Sequence, residues 1–384
     1  MPYHHFFNKR KRKRQRAFYE NGSNLLEKLI ASCNAKPIPI TTFSAQLLFQ
    51  ATNNFSSERV NRFWYKGSLE GRIVFIKHLD GLADLAINDL VISAQMSGHS
   101  NVLKPIGCCL HTPIPIFVFE FATNGVLVDR IHVSRVTKQQ RQPMVWERRL
   151  KIARQIAHAL SYLHIAFPRP VIHMGIDMYS ILLDKNDVPK LSNFSYSISI
   201  PEGEADVEIN YKFANSTIRA PEFNATGKAT EKTKVYDFGR FLLELLTEED
   251  SRKTSRLTID EDATLVAYIH NCAQGSCINE IVDPAILAEN GDGGASLEHQ
   301  LQVVVDLALT CTEEDPQRRP TMVDVTKQLR QIERFVPSLI IYSLDFIQSY
   351  VIDKQIHIIA YPNVLGITTN KIYLIFKQMA MDGI

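Results

Sequence analysis

The pattern of apolar and polar residues divides the chain into a β-rich part and a helical part. Between about residues 60 and 122, short segments rich in β-branched and aromatic residues predict strands, and they bracket one helical segment. From Leu127 to Phe335 apolar residues recur at the 3.6-residue spacing of amphipathic helices, as in RRLKIARQIAHALSYLH (148–164). A small β-rich lobe followed by a larger helical lobe predicts a two-lobed α+β fold.

Two short helices are predicted ahead of the β-rich part. Ser23 is the expected N-cap of an amphipathic helix, which KPIPI (36–40) ends with its two prolines. Ser44 is the expected N-cap of a second helix, FSAQLLFQATNNFS, which ends in the turn-forming residues NNFS.

These patterns predict four regions in the chain. Residues 1–42 form a basic arm and a short amphipathic helix, residues 43–122 form the small lobe with its preceding helix, and residues 123–335 form the larger lobe. Residues 336–384 are rich in Ile, Tyr and Phe, as strands are, and the status of this C-terminal tail stays open. Charged residues within the tail argue against a membrane span.

A formal net charge of +2 conceals one strongly basic segment. Lys9 to Arg16, KRKRKRQR, carries seven positive charges and no negative one. Three interpretations are open: a solvated tail, contact with an anionic membrane surface, or nuclear import and nucleic-acid binding. Aromatic residues do not interleave with the basic ones and no nucleic-acid-binding fold is indicated, so we expect no nucleic-acid partner.

The cysteines and the apolar runs indicate a cytoplasmic protein. The six cysteines match no zinc or disulfide spacing, which favours reduced thiols. We find neither a secretory signal nor an apolar run of about 18 residues. We expect a cytoplasmic location, peripheral at the plasma membrane if the basic segment binds lipid.

An ordered series of motifs then points to a family. ATNNFS, YKGSLEGRIVFIKHL, HSNVLKPIGCCL, FVFEFATNGVL, APEF, VYDFG and RRPTM follow one another with matching spacing between residues 43 and 333. In these motifs the chain resembles plant receptor-like kinases, and within them the wall-associated-kinase-like group. The resemblance implies the two-lobed protein-kinase-like fold, so each working part of a kinase can be sought in this sequence.

The nucleotide-binding parts are only partly retained. VFIK supplies Lys77, which the resemblance implies as a phosphate contact; an ordinary half-buried strand lysine is the alternative. Asp89 stands where the glutamate partner of that lysine is expected, and because it is one methylene shorter we expect a stretched or water-bridged pair. SSERVNRFW contains no glycine where a glycine-rich loop would hold the phosphates. We expect no cofactor, with ATP bound without Mg²⁺ as the alternative.

The catalytic loop lacks the residues that perform phosphoryl transfer. HMGIDMYS stands where the family has HRDIKxxN, so Gly175 replaces the base aspartate, Asp177 the assisting lysine and Ser180 the metal-binding asparagine. Asn193 replaces the metal-binding aspartate of the DFG motif, and it lacks the anionic oxygen that Mg²⁺ prefers. These degenerate positions predict no catalytic residues and no metal site.

Several structural residues of the family remain in place. The resemblance implies that His173 and Phe194 stack in the core, and that Glu222 of APEF forms a buried ion pair with Arg319 of RRPTM. Lys234 departs from the pattern, because an aspartate normally holds the catalytic-loop backbone from that position.

The combination predicts a catalytically inactive adaptor. The N-terminal section resembles plant pseudokinases, related to wall-associated kinases, that attach to a coiled-coil NLR immune receptor and dock receptor-like cytoplasmic kinases. The resemblance therefore implies protein partners of those two classes and a scaffold role in plant immune signalling. Two alternatives are a weak serine/threonine kinase that uses Lys77 and Asp177, and a nucleotide-gated binding module.

Overall fold

The computed structural model describes residues 2–33, 40–56, 59–60, 63–79, 81, 83–132, 143–209, 220–249, 265–274, 278–288 and 294–334. These residues form a small lobe built on a five-stranded sheet and a larger lobe built mainly of helices. The predicted two-lobed α+β fold is confirmed. The predicted C-terminal tail, residues 336–384, lies outside the described residues.

One long helix, α1 (Pro2–Cys33), takes the place of the predicted basic arm and separate short helix. Ser23 lies inside α1, so its predicted role as an N-cap is wrong. The helix packs against α3 (Ala83–Gln95), and Asn21 donates hydrogen bonds of 3.0 and 2.9 Å to two backbone carbonyls of the small lobe. These contacts offset the cost of Gly22, which destabilises a helix interior by about 1 kcal/mol.

Helix α2 (Ala45–Ala51) agrees with its sequence signals. The hydroxyl of Ser44 accepts a hydrogen bond of 3.2 Å from the Leu47 N–H, so the predicted N-cap is confirmed. Residues 53–55 have φ angles between 49° and 59°, which confirms the turn predicted at the end of this helix.

The sheet of the small lobe has the order β1–β4–β5–β3–β2. β1 is parallel to β4 and the other neighbours are antiparallel. The register places Trp64 opposite Lys77 on adjacent strands. The strands are β1 (Thr41–Thr42), β2 (Trp64–Leu69), β3 (Arg72–His78), β4 (Pro105–Cys109) and β5 (Ile116–Phe119).

The larger lobe combines long helices with short strand pairs. Its described helices are α4 (Val128–Ile131), α5 (Trp146–Ile165), α6 (Pro221–Thr226), α7 (Glu231–Thr247), α8 (Leu265–Gln274), α9 (Ile278–Ile281), α10 (Pro284–Ala288), α11 (Gly294–Cys311) and α12 (322–334). Its strands are β6 (Gly125–Val126), β7 (Val171–Ile172), β8 (Ile181–Leu183), β9 (Pro189–Leu191), β10 (Ile198–Ser199), β11 (Val207–Glu208) and β12 (Lys228–Ala229). Among the helices described in both lobes, none combines the length and apolar character needed to cross a bilayer.

Helices α5, α7 and α11 contribute most of the core of the larger lobe. α7 approaches α11 closely at Gly239, where an added Cβ would lie 2.7 Å from Cys311 and Thr312. A glycine is needed at this crossing because any side chain would force the two helices apart. The packed helices form the base that supports the catalytic-loop region between β7 and β8.

Candidate functional site

The lysine and carboxylate selected from the sequence are in direct contact. Lys77 projects from β3 and Asp89 from α3, and Nζ lies 2.7 Å from Oδ2. Their side chains are 0% and 1% exposed, so the two charges neutralise each other inside the protein. The shorter aspartate reaches the lysine after all, and the expectation of a stretched or water-bridged pair is wrong.

Asn193 joins this pair from the segment that follows β9. Its side-chain oxygen accepts hydrogen bonds from Lys77 Nζ at 3.1 Å and from the Ser195 hydroxyl at 3.3 Å. The φ angle of Asn193 is 69°, in the left-handed region that asparagine enters more readily than most residues. An uncharged oxygen facing an ammonium group is a poor ligand for Mg²⁺, which binds anionic oxygens.

Asn88 ties α3 to the same segment, and the sequence analysis missed it. Its amide nitrogen lies 3.1, 3.2 and 2.8 Å from the carbonyl oxygens of Phe194, Ser195 and Ser197. The next residue, Asp89, accepts a 2.5 Å hydrogen bond from the Phe194 N–H. The two amide hydrogens of Asn88 are thus shared among three acceptors. The one signal in the sequence was its position beside Asp89.

The buried lysine lies beneath Trp64, which belongs to a cluster of aromatic side chains. Lys77 Nζ lies 5.1 Å from the centroid of the Trp64 ring, within range of a cation–π interaction. The Trp64 ring contacts Phe119 with a centroid distance of 5.0 Å, and Phe75 contacts Phe121 at 4.8 Å. The large side chain of Trp64 therefore lies over the lysine at the end of the segment where the family resemblance would place bare backbone.

The catalytic-loop equivalent forms a closed turn around Asp177 and Ser180. Asp177 Oδ1 accepts a 2.7 Å hydrogen bond from the Ser180 N–H, and the Ser180 hydroxyl donates to the Asp177 carbonyl at 2.8 Å. Both side chains therefore serve the turn itself. Gly175 lies two residues earlier, and a Cβ built there would meet no atom within 4 Å.

His173 and Phe194 lie edge to face in the core beneath that turn, with ring centroids 5.1 Å apart. His173 Nε2 lies 3.1 Å from the Ser192 carbonyl oxygen, and Nδ1 faces the Gly175 N–H at 3.4 Å. This pattern requires a neutral ring with its proton on Nε2. Burial first, and then the charge of Lys234, lower the pKa of His173 to about 3.

Lys234 is buried on α7 and forms an ion pair with Asp237 one turn further on. Its Nζ lies 2.5 Å from Asp237 Oδ2. Lys234 was expected as a departure from the family pattern, whereas its partner Asp237 was not predicted from the sequence. Burial, followed by the charge of Lys234, also lowers the pKa of His164 to about 4. Lys234 therefore acts electrostatically on two core histidines.

The predicted ion pair between Glu222 and Arg319 is present in the larger lobe. Nη1 and Nη2 of Arg319 lie 2.9 Å from Oε1 and Oε2 of Glu222, respectively. The Thr233 hydroxyl also donates a 2.9 Å hydrogen bond to Oε1 of Glu222. Burial alone would raise the pKa of Glu222, but the hydrogen bonds and charge of Arg319 outweigh it and lower that pKa. The pair links α6 to the start of α7 and to the segment before α12.

Met174 packs against residues 194–209, the segment that follows Asn193. It belongs to a buried cluster that includes Ile200 and Val207 on that segment and Phe223 and Tyr236 on α6 and α7. Strand pairs β10–β7 and β11–β12 hold the same segment. Apolar packing and backbone pairing thus fix residues 194–209 in place.

Comparison with known proteins agrees with this architecture. Residues 60–329 match the family of protein tyrosine and serine/threonine kinases. The chain is 37% identical over 340 residues to serine/threonine-protein kinase ZRK1 of Arabidopsis thaliana, covering 85% of this chain and 94% of that protein. It is 36% identical over 343 residues to the non-functional pseudokinase ZED1 of the same plant, covering 85% and 99%. By sequence and by fold, the chain belongs to the protein tyrosine and serine/threonine kinase family.

Proposed function

We propose that this protein is a catalytically inactive, kinase-like adaptor. The observation that carries the proposal is Gly175 at the position of the catalytic base. A glycine has no group that accepts a proton, and a positioned base contributes about 10²–10⁴ to a rate. The neighbouring Asp177 is engaged in the turn with Ser180, which weighs against its use as a displaced base.

The site is also a poor fit for Mg–ATP. Asn193 offers no negative charge and its oxygen faces the ammonium group of Lys77. Lys77 itself has no exposed surface, so a phosphate group has no access to it without rearrangement. These contacts support a protein that works without the metal–nucleotide complex, and they weigh against a nucleotide-gated module.

The conformation of the site supports an adaptor role. Asn88 and Asp89 hold α3 against residues 194–197 with no ligand in between. Met174 fixes the continuation of that segment by apolar packing. A partner would therefore meet a surface that is already in place, which reduces the entropy lost on binding.

The partners we propose follow from the resemblance to plant adaptor pseudokinases. They are a coiled-coil NLR immune receptor and receptor-like cytoplasmic kinases, and the protein itself would belong to the wall-associated-kinase-like group. The similarity to proteins named non-functional pseudokinase ZED1 and non-functional pseudokinase ZRK2 supports this choice. Similarity to serine/threonine-protein kinase ZRK1 keeps weak kinase activity as the competing function.

Catalysis is tested with the purified full chain, labelled ATP, and Mg²⁺ or Mn²⁺. We expect no label on the chain or on a general protein substrate, while an active family member in the same assay is labelled. Label that appears on the wild-type chain and disappears in Asp177→Asn would overturn the proposal. Thermal stabilisation by millimolar ATP without turnover would instead select the nucleotide-gated module.

The adaptor role is tested separately by recovering the tagged full chain from plant tissue and identifying the proteins bound to it. We expect an NLR receptor, and a receptor-like cytoplasmic kinase that a tagged active family member does not recover. If neither class is enriched, the adaptor proposal fails even if the chain transfers no phosphate. The two experiments therefore separate inactivity from scaffolding.

A further inference from the structure

The outward face of α1 carries exposed apolar side chains. Tyr19 is 64% exposed, Leu26 59% and Ile30 70%. They are seven and four residues apart, so they lie on one face of the helix. Three large apolar side chains in a row on a helix that is already packed against the protein indicate a surface made for contact.

The opposite face of α1 fixes this orientation. Ala17 and Asn21 are buried, and the Phe18 ring stacks on His111 with a centroid distance of 4.5 Å. Asn21 is anchored by hydrogen bonds to the Leu110 and Thr112 carbonyls. The helix cannot rotate its apolar row toward the protein without breaking these contacts.

The same helix carries the basic segment immediately before the apolar row. Residues 11–16 are all exposed, and Arg12 and Arg16 fall on the outward face with Tyr19. Arg16 is partly neutralised by Glu20 at 2.7 Å, but the run continues through the sequence Lys9 to Arg16 with seven cations. Cations and apolar groups are therefore aligned on one continuous helix.

We propose that α1 is a membrane-docking helix, with Lys11 to Arg16 on anionic lipid headgroups and Tyr19, Leu26 and Ile30 in the interfacial layer. An apolar row alone would equally fit a protein partner. The basic run on the same rigid helix favours an anionic lipid surface, because amphipathic helices of this type combine both interactions. This inference is independent of whether the chain transfers phosphate.

The test measures cosedimentation of the full chain with vesicles of phosphatidylcholine alone or with about 30% phosphatidylserine. We expect binding to the anionic vesicles only, weakening above about 0.1 M salt. Replacing four cations, Lys11→Gln, Arg12→Gln, Lys13→Gln and Arg14→Gln, lowers the partition coefficient on the order of 10³-fold. Replacing the apolar row, Tyr19→Ser, Leu26→Ser and Ile30→Ser, lowers it on the order of tenfold.

Matched variants on other faces serve as controls. The charge control replaces four cations elsewhere: Lys104→Gln, Lys151→Gln, Lys185→Gln and Lys327→Gln. The apolar control replaces three exposed residues outside α1: Ile73→Ser, Val145→Ser and Ile165→Ser. Both controls keep wild-type binding, and circular dichroism verifies that every variant retains its helix content.

The outcomes decide between lipid and other occupants of this face. No binding of the wild-type chain to anionic vesicles overturns the proposal, as does equal loss in the charge control. Binding that is unchanged in the apolar triple variant also overturns it, because the face then lies away from the lipid. If the apolar triple variant loses an NLR partner but not lipid, the row belongs to a protein interface.

Discussion

The ammonium group of Lys77 lies 3.1 Å from the side-chain oxygen of Asn193. The same ammonium group contacts Asp89 at 2.7 Å, so the central sheet of the small lobe, α3 and the segment after β9 meet at one buried point. In a buried polar network each group depends on the others for its hydrogen bonds. Loss of one member therefore costs more than the contact it makes.

The first prediction concerns the charge balance of this network. Lys77→Met leaves Asp89 buried without a cation, and we expect the free energy of unfolding to fall by about 3–5 kcal/mol. The double variant Lys77→Met/Asp89→Leu removes both charges, and its free energy of unfolding should fall by less than that of Lys77→Met. Urea unfolding of the two variants measures the difference.

Lys185→Met is the matched control, because Lys185 is exposed. It should change the free energy of unfolding by less than about 0.5 kcal/mol. The single variant Asp89→Leu completes the cycle. If the stability losses of Lys77→Met and Asp89→Leu simply add in the double variant, the two side chains are not energetically coupled.

The second prediction concerns Asn88. In Asn88→Ala the carbonyls of Phe194, Ser195 and Ser197 lose their shared donor, and we expect a destabilisation of about 1–3 kcal/mol. Hydrogen exchange should rise mainly in residues 194–199, because the segment then opens locally. Asn186→Ala, at an exposed turn, should leave exchange there unchanged. A uniform rise in hydrogen exchange across the larger lobe would contradict a local role of Asn88 in holding this segment.

Much of this site followed from motif spacing. Lys77, Asp89 and the catalytic-loop equivalent could be located because each lies in a short motif whose residues are close together in the sequence. Asn88 was missed because a helical pattern assigns a face and gives no distance to a segment more than a hundred residues away. The Trp64 ring over Lys77 was missed for a similar reason, since cross-strand register decides that contact.

The continuous helix α1 shows another limit. Gly22 and Ser23 are a reasonable helix start by propensity and capping, and tertiary contacts override them. Asn21 and Phe18 make those contacts with a loop about ninety residues later in the sequence. Local signals therefore predicted a helix here correctly but placed its first residue wrongly.

The third prediction compares two glycines. Gly175 has open space where a Cβ would stand, so Gly175→Asp should change the melting temperature little. In Gly239→Ala the added Cβ would lie 2.7 Å from Cys311 and Thr312, and overpacking should cost about 1–3 kcal/mol. Differential scanning calorimetry compares the two variants directly.

Gly175→Asp also tests what else blocks phosphoryl transfer. The variant regains a carboxylate at the base position, yet Asn193 still faces Lys77 and Trp64 still covers it. We therefore expect Gly175→Asp to show no label from ATP. Transfer in this single variant would show that the buried lysine opens readily and that the missing base was the one defect.

The final prediction concerns pH. Burial and the charge of Lys234 lower the pKa of His173 to about 3 and of His164 to about 4, from an ordinary value of 6.5. As pH falls below 6.5 the unfolded chain binds these protons and the folded chain does not, so the free energy of unfolding decreases. Each histidine contributes a slope of at most about 1.4 kcal/mol per pH unit, between its unfolded and folded pKa values.

The measurement is the free energy of urea unfolding at several pH values between about 7.5 and 5.5. In this window the carboxyl of Glu222 stays ionised in both states. Burial raises the pKa of Glu231, which changes the free energy of unfolding in the opposite direction, and this carboxyl is common to wild type and variant. His164→Gln removes one titrating group and should reduce the slope. Equal slopes in wild type and His164→Gln would mean that the core accepts a charged histidine at position 164.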